Sequence, residues 1–408
     1  MTLTRIVSKG QGNPATFALL ALLFNGASAV ASDIEVRGSA VIEQRYFLQD
    51  ALYEEQSRAN FSVYGEAEIY KAFNDGDDSI SFKPFYRIDQ NDDERTHADI
   101  RELVWLHVGD SWEMRTGVGK VFWGQTESLH LVDVINQTDS IEAIDGEDKL
   151  GQPMVNLSLI KEWGTTSIFV LPYFRERTFA GVDGRPRFAL NVDTDNPIFE
   201  SSDEENNIDW AARWQHSIGN WEIGLSYFDG TSREPILVPE FNDESAALRP
   251  YYPQMQQAGV DILAVMGSWL FKFEGISRST TAEDYSALVG GFEYTTVGVF
   301  DSQFDLGWLM EYQYDGRDNT LLTPSQNDLM LGTRIVYNDI DGTEILMGIV
   351  QDLDESNSRS GFIEASSRIS DNWKWRLDAW FFSSDTPEEP IYQYRRDDFV
   401  QLSMEFYF

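Results

Sequence analysis

The apolar-polar alternating stretches of this chain are joined in a short-long order, and few architectures permit that. Eighteen stretches, from 34 to 48 through 398 to 408, alternate with the period of two that puts successive side chains on opposite faces of a strand. Tight turns fall at Asn74 to Asp77, Gly109-Asp110, Trp163-Gly164, Ile218 to Asn220, Gly267-Ser268, Asn338 to Gly342 and Ser370 to Asn372. Between them lie the longer links 49 to 59, 90 to 96, 122 to 152, 173 to 207, 230 to 257, 315 to 327 and 383 to 397. A barrel with small turns at one rim and large loops at the other sorts its connections this way, whereas a soluble sandwich has no reason to. The expected fold is therefore all-β, a transmembrane antiparallel up-and-down β-barrel of about eighteen strands, with sixteen as the alternative count.

The two faces are clean in several stretches. Val400, Leu402, Met404, Phe406 and Phe408 alternate with Gln401, Ser403 and Glu405, and Trp373, Trp375, Leu377, Ala379 and Phe381 alternate with Lys374, Arg376 and Asp378. A lipid-facing Arg or Lys costs roughly 2 to 4 kcal/mol at mid-membrane, so the charged faces belong to the lumen. Parity places Lys83, Arg87, Arg115, Arg213, Arg334 and Arg376 inside, together with Glu274, Glu311 and Asp378. An eighteen-strand wall encloses a space too wide for side chains alone, so water or an inward loop must occupy it. The stretch 97 to 108 resists this reading, because Arg101 and Glu102 cannot share one face of a regular strand.

Composition agrees with a barrel. Beyond the N-terminal region no apolar run reaches the roughly twenty residues of a membrane-spanning helix, and mean hydropathy is −0.35. Aromatics make up 13% of the chain, which suits interfacial girdles. Cysteine is absent, so strand pairing must supply the stability. At the N-terminus, Arg5 and Lys9 precede a largely apolar run from Ala15 to Phe24 and small residues that offer cleavage after Ala29 or Ala31. Residues 1–31 read as a secretory signal peptide and 32–408 as one barrel domain. Removing Arg5 and Lys9 takes the formal charge from −37 to −39, which makes nucleic acid an improbable partner. Acidic runs at Asp89 to Glu94, Asp203 to Glu205, Asp352 to Glu355 and Glu388 to Glu389 are expected in solvated loops, near divalent cations and lipopolysaccharide.

The link 122 to 152 is the most distinctive segment. Ser128 to Asn136 is too apolar for a free loop, and the barrel interior is the nearest surface to cover it. Around it the chain reads Arg115-x-Gly117-x-Gly119-Lys120-x-x-Trp123-Gly124-x-x-Glu127, then Asp133-x-Ile135-Asn136-x-x-Asp139. Here it resembles a little-characterised family of Gram-negative outer-membrane porin-like β-barrel proteins. That resemblance implies a barrel and little about a substrate. In this chain Gln137 stands where related segments often carry proline. Terminal Phe408 likewise resembles the signal by which the barrel-assembly machinery recognises outer-membrane proteins. By charge alone, Arg115 and Lys120 beside Glu127, Asp133, Asn136 and Asp139 form either a constriction with a transverse field or a latch pinning the loop to the wall.

The functional expectation is an outer-membrane porin or channel for passive diffusion of small hydrophilic solutes or ions, with lipid and lipopolysaccharide as neighbours. The alternative is a non-conducting structural or adhesion barrel binding through its outer loops. Outward faces rich in Trp and Phe suit either lipid or a homo-oligomer. No cofactor, metal site or catalytic group is expected: the four histidines show no metal-ligand spacing, and the only catalytic candidates, His107 near Asp99 and Arg101 and His130 near Asp133, read better as satisfied hydrogen bonds. Strand signals begin within a few residues of the cleavage site, which leaves no room for the plug domain of an energised transporter.

Overall fold

The computed structural model describes residues 34–241, 246–317, 321–323 and 325–408; the expected signal peptide lies outside them. Eighteen strands form one antiparallel sheet, and it closes on itself. The first strand, Glu35–Phe47, pairs on one side with Ala59–Phe73 and on the other with the last strand, Phe399–Tyr407. All eighteen expected stretches are barrel strands, and the widest boundary difference is at Gln254–Met266, expected from 258. At the seam, Phe408 exchanges two backbone hydrogen bonds of 3.1 Å with Gly38. A Cβ on Gly38 would stand 2.7 Å from the Phe408 ring, so only glycine lets that ring lie across the closure.

The pleat sorts the side chains as alternation predicts. Ile42, Leu103, Leu225, Trp308, Leu331 and Leu402 are exposed on the outer face, whereas Glu43, Arg87, Asp261, Glu274 and Glu311 are buried on the inner one. Such a continuous apolar exterior is a surface for lipid rather than water. On the inner face, Arg213 meets Asp261 through two bonds of 2.7 and 2.9 Å. That pair fits because Gly224 has no side chain, a Cβ there standing 2.2 Å from the Asp261 carboxylate.

Three local expectations are corrected. In Ala98–Val108, Lys83 is opposite Glu102 and Pro84 is opposite Ile100, so Arg101 is bulged out of register. Pro84 has no N–H to lose there, and the extra residue lets Arg101 and Glu102 both point inward. The acidic run from 89 to 94 is not wholly solvated. Asp89 binds Arg95 at 2.9 Å, and buried Asp92 accepts the Gly181 N–H at 3.2 Å. Finally, the link 230 to 257 contains a hairpin, Ile236–Phe241 with Ala246–Tyr252, which Ile198–Phe199 joins in parallel. Pro239 and Pro250 interrupt its alternation and hide it from a pattern reading.

The largest apolar cluster lies on one run of neighbouring strands, from Gln152–Lys161 round to Asp284–Thr296. Trp123, Val132, Val134 and Ile135 from the long link pack against Met154, Phe169, Ala211, Phe228, Met255 and Ile276 of the inner wall. A second, smaller cluster of Phe179, Phe188, Leu237 and Leu248 lies at the long-loop rim.

Candidate functional site

The link from 122 to 152 enters the barrel and is held there by carboxylates that the wall presents. Glu274 accepts the backbone N–H groups of Gln125, Thr126 and Val132 at 2.6, 3.0 and 3.2 Å and the Thr126 hydroxyl at 2.8 Å. Glu311 accepts the N–H groups of Glu127 and Ser128 at 2.8 and 2.9 Å. A loop without regular structure has backbone donors to satisfy, and two buried anions are strong acceptors for them. Burial of Val132 and Ile135 adds an apolar contribution of about 1.5–3 kcal/mol each.

The expected residues divide into two groups. Asn136 ties the loop base: its Oδ1 accepts the Val121 N–H at 2.8 Å, and its Nδ2 donates to Gly119 at 2.9 Å and Leu150 at 2.8 Å. Asp139 is buried and accepts from Arg101 at 2.7 Å and the Thr178 hydroxyl at 2.8 Å. Burial opposes its charge, yet His97 and Arg101 overcome that and hold its carboxyl well below the usual range. Asp133 is enclosed 3.8 Å from Lys149, and burial pushes its carboxyl up to about 6. These three serve the loop's packing rather than an open passage.

Lys120 and Glu127 do reach open space, as do Arg334, Arg376 and Asp378. They line a cavity of about 700 Å³ between the loop segment 142 to 148 and the strands nearest the seam. Glu127 bridges Lys272 at 3.1 Å and Arg334 at 2.7 Å. Burial would raise its carboxyl, but these two cations hold it below the usual range. Arg376 pairs with Glu405, and Asp378 accepts from Gln401 at 3.4 Å. Arg115 does not join them: it faces the lumen beside Glu113 at 3.3 Å and meets none of the loop carboxylates. Parity fixed its face but not its height along the wall. Lys83 is likewise engaged away from the loop, with Glu102 at 2.9 Å and Glu68 at 3.6 Å, and Arg213 with Asp261.

A buried charge network that the sequence reading missed joins loop to wall beside the cavity. Arg87 grips the Glu142 carboxylate with bonds of 2.9 and 2.6 Å and lies 3.4 Å from Glu43, while Arg95 reaches Glu43 at 2.8 Å. Glu43 shares its face with Val41 and Arg45, so alternation along Glu35–Phe47 carried a signal for it. Glu142 and Arg95 sit in links, where no period exists to read. Nearby, His97, Asp139 and Glu142 place ligand atoms within 4.8 Å of one another. Arg101 and Arg87 already neutralise both of those carboxylates, so the group is charge-balanced without an ion. His130 lies 3.6 Å from Glu147 and 4.0 Å from Glu274. Burial opposes its charge, but these two acids push the imidazole up to about 9.

No protein-family model matches this chain, and no curated protein matches it. Among solved structures, a five-fold substituted porin of Rh. blastica is similar over 92% of this chain and 100% of its own, at 11% identity and a TM-score of 0.46. A loop-deletion mutant of OmpT, an outer membrane protein of Vibrio cholerae, is similar over 92% of this chain and 99% of its own, at 7% identity and a TM-score of 0.46. Identities this low carry over no residue's role.

Proposed function

We propose that this chain is an outer-membrane channel of a Gram-negative bacterium that passes small hydrophilic solutes or ions by passive diffusion. One observation carries the reading: a closed barrel with an apolar exterior keeps a charged cavity of about 700 Å³ inside its wall, open to water between loop and strands. The apolar band sits in lipid, with lipopolysaccharide around the long-loop rim, and terminal Phe408 addresses the chain to the assembly machinery. Among the described residues, Glu66, Asp145, Asp148, Glu344 and Glu364 line the cavity without an ion pair and Asp378 meets only the Gln401 amide, against Lys120, Lys374 and the amide-bound Arg45 on the basic side. A cation preference at low salt follows.

The second reading, a non-conducting barrel that binds through its loops, draws on the apolar cluster of Phe179, Phe188, Leu237 and Leu248 at the rim. Conductance of the mature chain in planar bilayers separates the two. Discrete steps with a cation-side reversal potential under a KCl gradient are expected; protein that inserts and stays silent at every voltage sinks the channel reading.

A further inference from the structure

Above the charged cavity, toward the long-loop rim, lies a second space of about 240 Å³ with a different lining. The two meet at a neck of Arg45, Glu142, Ala143, Ile144 and Trp380, which border both. Along one side of this vestibule runs a chain of neighbouring rings. Phe179 and Phe188 have centroids 6.1 Å apart, Phe188 and Tyr394 6.3 Å, Tyr394 and Phe382 5.7 Å, and Phe382 and Trp380 6.4 Å. The last of these rings stands at the neck.

Five arginines border the same space; three of them face carboxylates, and the fourth, Arg45, spends its donors on neutral oxygens. Arg95 holds Glu43 and Asp89, Arg185 holds Asp397 at 2.8 Å, Arg45 donates to the Gln401 amide at 2.8 Å, and Arg187 lies 4.0 Å from Glu55. Arg177 is the exception. Its Nε donates to the Ser140 hydroxyl at 2.7 Å, which fixes the plane of the guanidinium, and among the described residues no carboxylate lies within ion-pair distance of it. Its guanidinium carbon is 6.0 Å from the Phe179 ring, at the far end of the ring chain from Trp380. A guanidinium that borders a cavity and whose outer N–H groups have no partner among the described residues is a two-pronged donor for one planar anion. Rings beside it offer apolar contact to whatever the anion is attached to.

We propose that this vestibule binds a small monocarboxylate bearing an apolar ring or chain, with its carboxylate on Arg177 and its apolar part along Phe179, Phe188 and Tyr394. A doubly charged phosphate fits less well, because Arg177 is, among the described residues, the one arginine there with its outer N–H groups unpartnered, and both Asp92 and Asp183 border the space. The acid-lined cavity below repels the bound anion, so the ligand dwells above the neck and obstructs cations there. The obstruction rests on the channel reading; the binding does not.

Benzoate is the probe, with benzamide as its neutral isostere and acetate as the carboxylate without a ring. Calorimetric titration of the refolded mature chain in detergent is expected to give millimolar or tighter binding of benzoate, at least tenfold weaker binding of each control, and at least a tenfold loss in Arg177→Met. In bilayers, benzoate added on the long-loop side is expected to lower the potassium current. Equal binding of benzoate and benzamide to the unaltered protein overturns the proposal without any variant, and so does absence of benzoate binding by a chain that conducts. Benzoate binding by a chain that never conducts leaves the site standing and removes the channel reading instead.

Discussion

Residues 123–136 and residues 139–148 belong to one inward link, yet they are fastened differently. The first segment buries Trp123, Val132, Val134 and Ile135 in an apolar seat and hands its backbone donors to Glu274 and Glu311. The second is fixed by ion pairs at Asp139 and Glu142, and then leaves Asp145 and Glu147 exposed to the lumen. Apolar burial and carboxylate-to-backbone bonds inside a dry seat respond little to salt, whereas exposed charges are screened within about 10 Å at 0.1 M and about 3 Å at 1 M. On the channel proposed above, the first half sets where the link obstructs the lumen, and the exposed charges of the second, together with Glu127 of the first, set which ions feel it.

The largest test of that division is Glu274→Ala. It removes the acceptor of three backbone N–H groups, two of them buried, while the Thr126 hydroxyl keeps the Leu129 carbonyl, and hydrogen bonds to a charged group are worth about 1.5–3 kcal/mol each. The link is expected to detach while the barrel persists, seen as higher single-channel conductance with unchanged heat-modifiable gel mobility. Unaltered conductance together with unaltered protease resistance of the link would show that the wall carboxylate is not its anchor. Next comes Ile135→Ala, at a fully buried site, where an expected cost of about 2–5 kcal/mol should appear as faster proteolysis within 122–152. A cleavage rate equal to that of the parent chain would mean the apolar seat contributes nothing.

Acidity sharpens the comparison further. The His130 imidazole is raised to about 9 in the fold, so its contribution is full below about 6.5 and is lost as pH rises through about 9. Asp133 is raised to about 6, so its enclosed carboxylate is a liability above that value and the fold gains as pH falls from about 6 toward 4. Both shifts make the link firmer in mild acid and looser at pH 9 to 10, which current noise measured across that range should register. His130→Gln is expected to flatten the alkaline part of the profile. The smallest effect on stability, within about 0.5 kcal/mol, belongs to Asp145→Asn combined with Asp148→Asn. Reversal potential should nevertheless move toward anions, more at 0.1 M than at 1 M KCl. A loss of folding in that pair, or a selectivity that stays put, would erase the distinction between the two halves.

How much of this was legible in the sequence follows from what repeats. Strands repeat every two residues, so all eighteen could be read, and with them the inward faces of Glu274, Glu311, Arg334 and Asp378. The apolar run from Ser128 to Asn136 announced a loop that needed covering, and Glu127 and Lys120 stand beside the cavity. Alternation says nothing about height along the wall, which is why Arg115 was grouped with carboxylates it never meets. It also assumes a regular pleat, which the bulge at Arg101 breaks. Partners brought together from links, such as Arg95 with Glu43 or Arg177 with Ser140, have no local pattern at all. The family-like motif around Trp123 and Asn136 marks residues that fold the loop, whereas the open chemistry of the vestibule sits outside that motif.

The seam between Glu35–Phe47 and Phe399–Tyr407 has a bearing on how the molecule is made. Its two strands stand at opposite ends of the described strand order, and the Gly38 to Phe408 bonds join residues far apart in sequence. Until the final strand is delivered, a growing sheet carries two unpaired borders, each able to recruit any extended segment in reach. Assembly is thus a race between self-completion and capture by strangers, and the last nine-residue strand decides it.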